Sequence, residues 1–273
     1  ETTLSTVNFY DVGDTWTEST SVTTPTPATT KILGGDADVD EFLIASRSNT
    51  NDLMKEQVAA KTRAIKQKFL DTFWYGNTTY NSKEFNGMHT LVSDATYNSV
   101  AVGTNATTPV LLSLNKLEEV RDLVKGGDPN ICMMAKGMRR SINKFLNGVG
   151  GITKAEIQGK TVQTLFDIPL GVSDNISIAE NCDLLYGSTY YGYAYTTPAA
   201  TSDGATSIFF ITLNEEACCG IQSGGGIKVK QLGDIETKDA SRVRIKWYPA
   251  LMLQKIITCT KLTGIDWDGI VAV

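Results

Sequence analysis

Charged and apolar side chains alternate strictly along Arg242-Val243-Arg244-Ile245-Lys246-Trp247. A period of two marks a strand with one buried face, so Val243, Ile245 and Trp247 are predicted inward and Arg242, Arg244 and Lys246 outward. Ile227-Lys228-Val229-Lys230 alternates in the same way, and Ser207-Ile208-Phe209-Phe210-Ile211 is an apolar run of strand length. Pro249 and Ala250 interrupt the pattern before Leu251–Leu262, which reads as a further strand. The set predicts antiparallel strands packing one face on a long helix. That helix is predicted over 51–74, where Met54, Val58, Ile65, Phe69 and Phe73 recur at steps of 4, 7, 4 and 4. At ~100° per residue they form a stripe of roughly 100°. Lys55, Lys61, Lys66 and Lys68 fall on both sides of the stripe and read as a solvated flank rather than a nucleic-acid face. Such a helix is about 36 Å long at 1.5 Å per residue, the length of a spine that organises other parts.

Between helix and strands the pattern is mixed. Leu114–Lys125 is predicted helical, with Leu114, Leu117, Val120 and Val124 inward and the pairs Glu118–Arg121 and Asp122–Lys125 on its surface. Gly126-Gly127-Asp128-Pro129 stops it. Ile131–Met134 reads as a short strand and 137–146 as a third helix ending at Asn147-Gly148. Strands are expected at Thr161–Phe166 and Leu184–Tyr186, followed by the tyrosine-rich run Tyr190–Tyr195.

The front of the chain follows neither period. Residues 1–35 are rich in Thr, Ser and Pro and contain Phe9, Tyr10 and Trp16. Prolines and threonines rule against helix. A disordered tail is one reading. A long two-stranded excursion that needs a partner's surface is the other, and the aromatics favour it because disordered tails are poor in them.

Composition narrows the class. The 273 residues suit two lobes sharing a sheet or one elaborate domain. Mean hydropathy is −0.11, and no apolar run approaches the ~20 residues of a membrane span. No signal segment opens the chain, and its start at Glu1 rather than Met fits an upstream segment removed or a late numbering. Five cysteines at irregular spacing argue against a disulfide framework. The adjacent pair Cys218-Cys219 reads as buried small apolar side chains or as a vicinal redox couple, with burial favoured. Synthesis in a reducing cytoplasm follows. Net charge is −5, which opposes a dedicated nucleic-acid binder without excluding a protein that encloses nucleic acid.

Reactive constellations fail one by one. His89 is the single histidine and has no nucleophile or metal signature around it, so it reads as structural or surface. Asp36, Asp38 and Asp40 open like a calcium loop, but Glu41 stands where its glycine belongs and Arg47 where its glutamate belongs. They read as an acidic surface turn. Thr153 and Val229 break the dinucleotide spacing of the glycine clusters at 148–151 and 224–226. Gly171–Asn175 lacks the last glycine of a nucleophile elbow. The expectation is no catalytic, cofactor-binding or metal site, and no cofactor.

The order of these parts resembles the major capsid proteins of tailed bacteriophages, a fold shared with herpesvirus capsids and encapsulins, from about Asn8 to Ile265. Phe73-Trp74-Tyr75-Gly76, Phe85-Asn86-Gly87-Met88 and the passage from Gly220-Ile221-Gln222 through Gly233–Glu236 to Arg242–Trp247 carry the similarity. The resemblance implies an α+β phage major-capsid fold. Residues 1–42 would form an extended β-hairpin E-loop, 43–107 and 226–273 a peripheral β-rich P-domain with spine helix 51–74, and 108–225 a central α/β A-domain. Relatives place an arm, and often a cleaved scaffolding segment, before the E-loop; here almost nothing precedes it. The implied function is structural and non-enzymatic. Subunits would form hexamers and pentamers of an icosahedral shell around double-stranded DNA, without sequence-specific binding and without a membrane. Scaffolding, portal and decoration proteins are the implied partners, and the virion capsid, assembled in the host cytoplasm, the implied location. Phe9, Tyr10, Trp16, Lys31 and Ile32 are the self-assembly candidates. Some relatives link a loop lysine covalently to an asparagine. Lys31 lies in that region with no matching partner motif, so no bond-forming site is assigned. Deleting residues 6–33 is expected to spare the central lobe and block shell closure. An encapsulin-like cargo cage is the first alternative. A carboxylate-based carbohydrate-active enzyme, with Trp16 or Tyr190–Tyr195 as sugar platforms, is the second.

Overall fold

The computed structural model describes residues 6–20, 28–47, 52–102, 109–149, 153–157, 160–178, 180 and 205–268. The expected strand Leu184–Tyr186, the run Tyr190–Tyr195 and Cys182 lie outside them.

Two sheets share one long helix. The first sheet has three strands, β1 (Leu33–Asp40), β8 (Cys218–Ile235) and β9 (Lys238–Leu253), in the order β1-β9-β8. All its pairings are antiparallel. The alternation of Arg242–Trp247 is realised in β9, where Val243 and Ile245 are buried and Arg244 is exposed. The helix α2 (Leu53–Tyr75) packs on β1 and β9. Asp52 caps its start by accepting from the Lys55 backbone N–H at 3.2 Å. Its stripe is half-buried along most of its length: Ile65 is buried, while Met54, Val58, Phe69 and Phe73 are intermediate. Phe69 meets Trp247 of β9 at 4.6 Å between ring centroids. A short helix α1 (Glu41–Arg47) follows β1 and is capped by Asp40, whose Oδ1 accepts from Phe42 and Leu43 N–H.

The second sheet has seven strands, ordered β2-β10-β7-β3-β6-β5-β4. These are β2 (Ser99–Ala101), β3 (Ile131–Met134), β4 (Thr153–Ile157), β5 (Lys160–Leu165), β6 (Ile168–Val172), β7 (Ala205–Ile211) and β10 (Cys259–Asp266). The apolar run in β7 is buried on both faces. Ile208 and Phe210 enter one core with α4 (Leu114–Asp122) and α5 (Lys136–Val149); Phe209 and Ile211 enter the other with the end of α2. Leu117 and Val120 of α4 are fully buried, as the spacing predicts. Its surface pairs differ from expectation: Lys116 and Glu119 form the i,i+3 pair, and Arg121 reaches Asp128.

Leu251–Leu262 is not one strand. β9 ends at Leu253, a 3₁₀ turn spans Ile256–Thr258, and β10 crosses to the seven-stranded sheet beside β7 rather than lying on the helix. The apolar content of β10 suits a strand covered on both faces, and Leu262 and Ile265 fill the α4–α5 core.

The aromatic-glycine segments form the joint between α2 and the seven-stranded sheet. Gly76 N–H donates to Thr72 O, and Gly87 N–H to Gly76 O, both at 2.8 Å. A Cβ on Gly87 would stand 2.4 Å from Thr72 O and 2.8 Å from Phe73 O, so this close approach requires glycine. Gly87 then leads into α3 (Met88–Leu91).

Candidate functional site

Residues 6–20 leave the body of the subunit and double back. Asp14 N–H donates to Asp11 O at 3.1 Å, and Gly13 has φ +96°, the glycine position of a type II turn. Thr6 N–H donates to Ser19 Oγ at 2.7 Å and Ser19 Oγ donates to Thr6 O at 3.0 Å, which joins the two limbs. Tyr10 and Trp16 stack at 4.7 Å, and Thr17 N–H donates to the Tyr10 hydroxyl. The Thr17 hydrogen bond lowers the Tyr10 phenol from its usual range. This is a hairpin-like extension held by side chains; no strand ladder runs along it among the described residues.

Its apolar side chains have no interior. Phe9 and Val12 are completely exposed, Val7 is 88% exposed and Trp16 79%. Ile32, at the root, is also 79% exposed. Lys31 instead ties the root to its own subunit: its N–H donates to Pro249 O at 3.0 Å and its Nζ to Ser82 O at 2.8 Å. The structure therefore groups Phe9, Tyr10 and Trp16 on the extension and sets Lys31 and Ile32 at its base. Sequence reasoning missed the exposed Val7, Val12 and Phe42, and Ile227 and Val229 on β8. An isolated valine in a threonine-rich stretch carries no period, and nothing in the alternation of β8 reveals that it is an edge strand.

Asp36 and Asp38 do not form a surface turn. They stand on β1, directly opposite Arg244 and Arg242. Each carboxylate takes two parallel hydrogen bonds from its arginine, at 2.7 and 2.8 Å. The Arg244 hydrogen bond holds the Asp36 carboxyl below the usual range. Those of Arg242 and then Lys238 hold Asp38 well below it.

The single histidine is structural. His89 is buried under Tyr75, stacked at 4.8 Å, and against Phe209. Its Nε2 lies 3.1 Å from Glu180 Oε1, which also accepts from the Tyr75 hydroxyl, while Ser207 donates to Glu180 Oε2. Burial pushes the imidazole below its ordinary pKa; Glu180 opposes that shift and buried Lys261, which donates to His89 O, adds to it. Ser207 bonds the carboxylate rather than the ring, so the group ties strands and helix together instead of forming a nucleophile–base pair. Cys132, Cys218 and Cys259 are buried free thiols and Cys219 is half-buried. Burial pushes the Cys132 thiol up, which suits packing rather than redox work. Among the described residues no group of three or more metal-ligating side chains comes together, and no helix is long and apolar enough to cross a membrane.

The two-sheet body has two filled cores and carries apolar groups on an extension outside them. Residues 2–110 match the family model described as Major capsid protein GP7. No curated protein sequence matches the chain. The holo-SrpI encapsulin complex from Synechococcus elongatus PCC 7942 superposes with a TM-score of 0.66 at 14% identity, over 89% of this chain and 77% of that one. The protein of Mycobacterium phage Ogopogo gives 0.57 at 12% identity, over 96% and 84%. The capsid of Myoviridae phage XM1 gives 0.53 at 13% identity, over 86% and 74%. The chain has the α+β fold that phage capsids and an encapsulin share, and the resemblance to tailed-phage major capsid proteins holds.

Proposed function

We propose that this protein is a non-enzymatic major capsid protein whose copies form hexamers and pentamers of an icosahedral shell around double-stranded DNA. The observation that carries this reading is the extension 6–20, which exposes Val7, Phe9, Val12 and Trp16 on a chain that otherwise has two well-filled cores. Burying those side chains against an adjacent copy removes them from water, and heterologous contacts of this kind close into shells when their rotation closes. Repeated over many copies, modest pair contacts give a stable container. In this reading the E-loop is residues 1–42, the P-domain 43–107 and 226–273, and the A-domain 108–225, with β10 crossing from the second segment into the central sheet. Synthesis is in the host cytoplasm, the mature location is the virion, and scaffolding, portal and decoration proteins are partners. Net charge −5 suits a wall that encloses DNA without gripping it.

Lys31 and Leu33 belong to the root and to β1, so the clean test removes 6–20 rather than 6–33. The shortened chain is expected to fold and to form no closed particles by electron microscopy; normal particles would refute the reading. A cargo-holding cage is the second reading. The encapsulin superposes at 0.66, above the two phage proteins at 0.53 and 0.57. The contents of purified particles, DNA or protein, separate the two.

A further inference from the structure

Cys218 and Cys259 are each the first residue of a strand, and the two strands belong to different sheets. β8 opens at Cys218 in the three-stranded sheet, and β10 opens at Cys259 in the seven-stranded one. The chain leaving β7 brings them together. Cys259 stands opposite Ile211, Cys218 N–H donates to Thr212 O at 3.2 Å, and Leu213 bridges to Cys218. The segments that precede the two strands are pinned to each other: Gln254 N–H donates to Ala217 O at 2.8 Å, and Lys255 Nζ lies 3.1 Å from Glu216. Both thiols are buried in the core that also holds the end of α2 and Met88, and they hydrogen-bond each other. Met88 Sδ stands 3.8 Å from Cys218 Sγ.

This pair differs from the vicinal couple that the sequence suggests. Cys218 and Cys219 occupy successive rungs of an unbroken stretch of ladder, opposite Leu253 and Met252, so their side chains leave opposite faces of the sheet. A bond between them would break the strand. Cys218 and Cys259 share one core and need only close from hydrogen-bond contact to the ~2 Å of a disulfide. Their environment also divides the work between them. The hydrogen bond from Cys218 draws the Cys259 thiol below its ordinary range against the cost of burial, and the Thr212 backbone and Thr258 hydroxyl add to that pull. The same contact, with burial, pushes Cys218 up. One thiol is disposed to act as nucleophile while the other holds its proton. Residues 213–216, just before Cys218, are exposed, and β8 is an edge strand, so loosening a few residues opens the pair without unfolding either core.

We infer that Cys218 and Cys259 form a redox site that closes into a disulfide on meeting a low-molecular-weight disulfide, and so locks the two sheets together. The Cys259 thiolate attacks one sulfur of the oxidant, breaks its S–S bond and releases the first small thiol. Cys218 then attacks the Cys259 sulfur of the mixed disulfide and releases the second. The two protons of the protein thiols end on the two released thiols; two cysteines are oxidised and one small disulfide is reduced. A reducing compartment keeps the pair open and an oxidising one closes it. The inference stands on the fold and is independent of the shell reading. The bond closes a loop of roughly forty residues, which is expected to raise the melting temperature by on the order of 10 °C.

The test holds full-length protein with oxidised glutathione and no denaturant. Remaining thiols are alkylated, and trypsin with a glutamate-specific protease cuts the chain for non-reducing mass spectrometry. The expected product joins peptide 217–228 to peptide 256–261, from protein that runs as a single chain on a non-reducing gel. Cys219→Ser keeps the joined peptides, while Cys218→Ser and Cys259→Ser lose them. The melting temperature rises by about 10 °C on oxidation and returns on reduction. No joined product, one that forms only after denaturation, one that survives Cys218→Ser through Cys219, a bond between two chains, or a bond that leaves the melt unchanged overturns the inference. The decisive bond is read on the natural sequence, so a serine variant that folds poorly does not obscure the outcome.

Discussion

Phe9→Ala separates assembly from folding. Phe9 is completely exposed in the subunit, so its truncation removes no packing and is expected to shift subunit stability by no more than about 0.5 kcal/mol. If the side chain is buried by an adjacent copy, its loss costs about 2 kcal/mol per contact, within the range for burying a phenylalanine. At 1.4 kcal/mol per decade this is roughly a thirtyfold weaker contact. If, as proposed, each subunit gives one extension and receives one, the threshold concentration for assembly rises by about the same factor. Light scattering against protein concentration measures the threshold, and circular dichroism melting of unassembled subunit provides the control. An unchanged threshold would refute the reasoning, as would a melting temperature that falls with the mutation, because the ring would then be packed on its own subunit.

Other consequences concern the body that presents the extension. Asp36 and Asp38 have carboxyl groups held below their unfolded value near 3.8 by arginine hydrogen bonds. Their contribution is therefore fully present above about pH 4 and lost as pH falls through the lower folded values; melts of Asp38→Asn against the parent should diverge at neutral pH and converge in acid. Gly87→Ala drives a Cβ to 2.4 Å from Thr72 O and should cost on the order of 2–3 kcal/mol or prevent folding, seen as a lower denaturant midpoint. Ile245→Ala empties a fully buried position between the β1–β9 sheet and α2 and should cost about 2–5 kcal/mol in the same assay; a loss below 1 kcal/mol would show that this sheet does not pack as described.

What the sequence displayed depended on the range of the interaction. The stripe of α2 and the alternation of β9 are local periodicities, and both elements lie where those periods place them. Gly76 and Gly87 stood out beside aromatics, but their reason, a backbone contact across the helix end, is a matter of three dimensions. Asp36 and Asp38 read as a failed metal loop because their arginines lie about two hundred positions away, and only the register of β1 on β9 brings them together. The crossing of β10 was hidden for the same reason: an apolar strand carries no label for the sheet it joins. His89 gave no hint of Glu180, which reaches it through the fold alone. The extension was legible because its peculiarity is compositional, aromatics among threonines with no period and no cations.

The central claim is that residues 6–20 find their interior on another copy. Cryo-electron microscopy of the purified protein under assembly conditions tests it most directly. The account predicts closed shells in which density for Val7, Phe9, Val12 and Trp16 lies against a neighbouring subunit. A stable monomer with those side chains packed on its own body would contradict it.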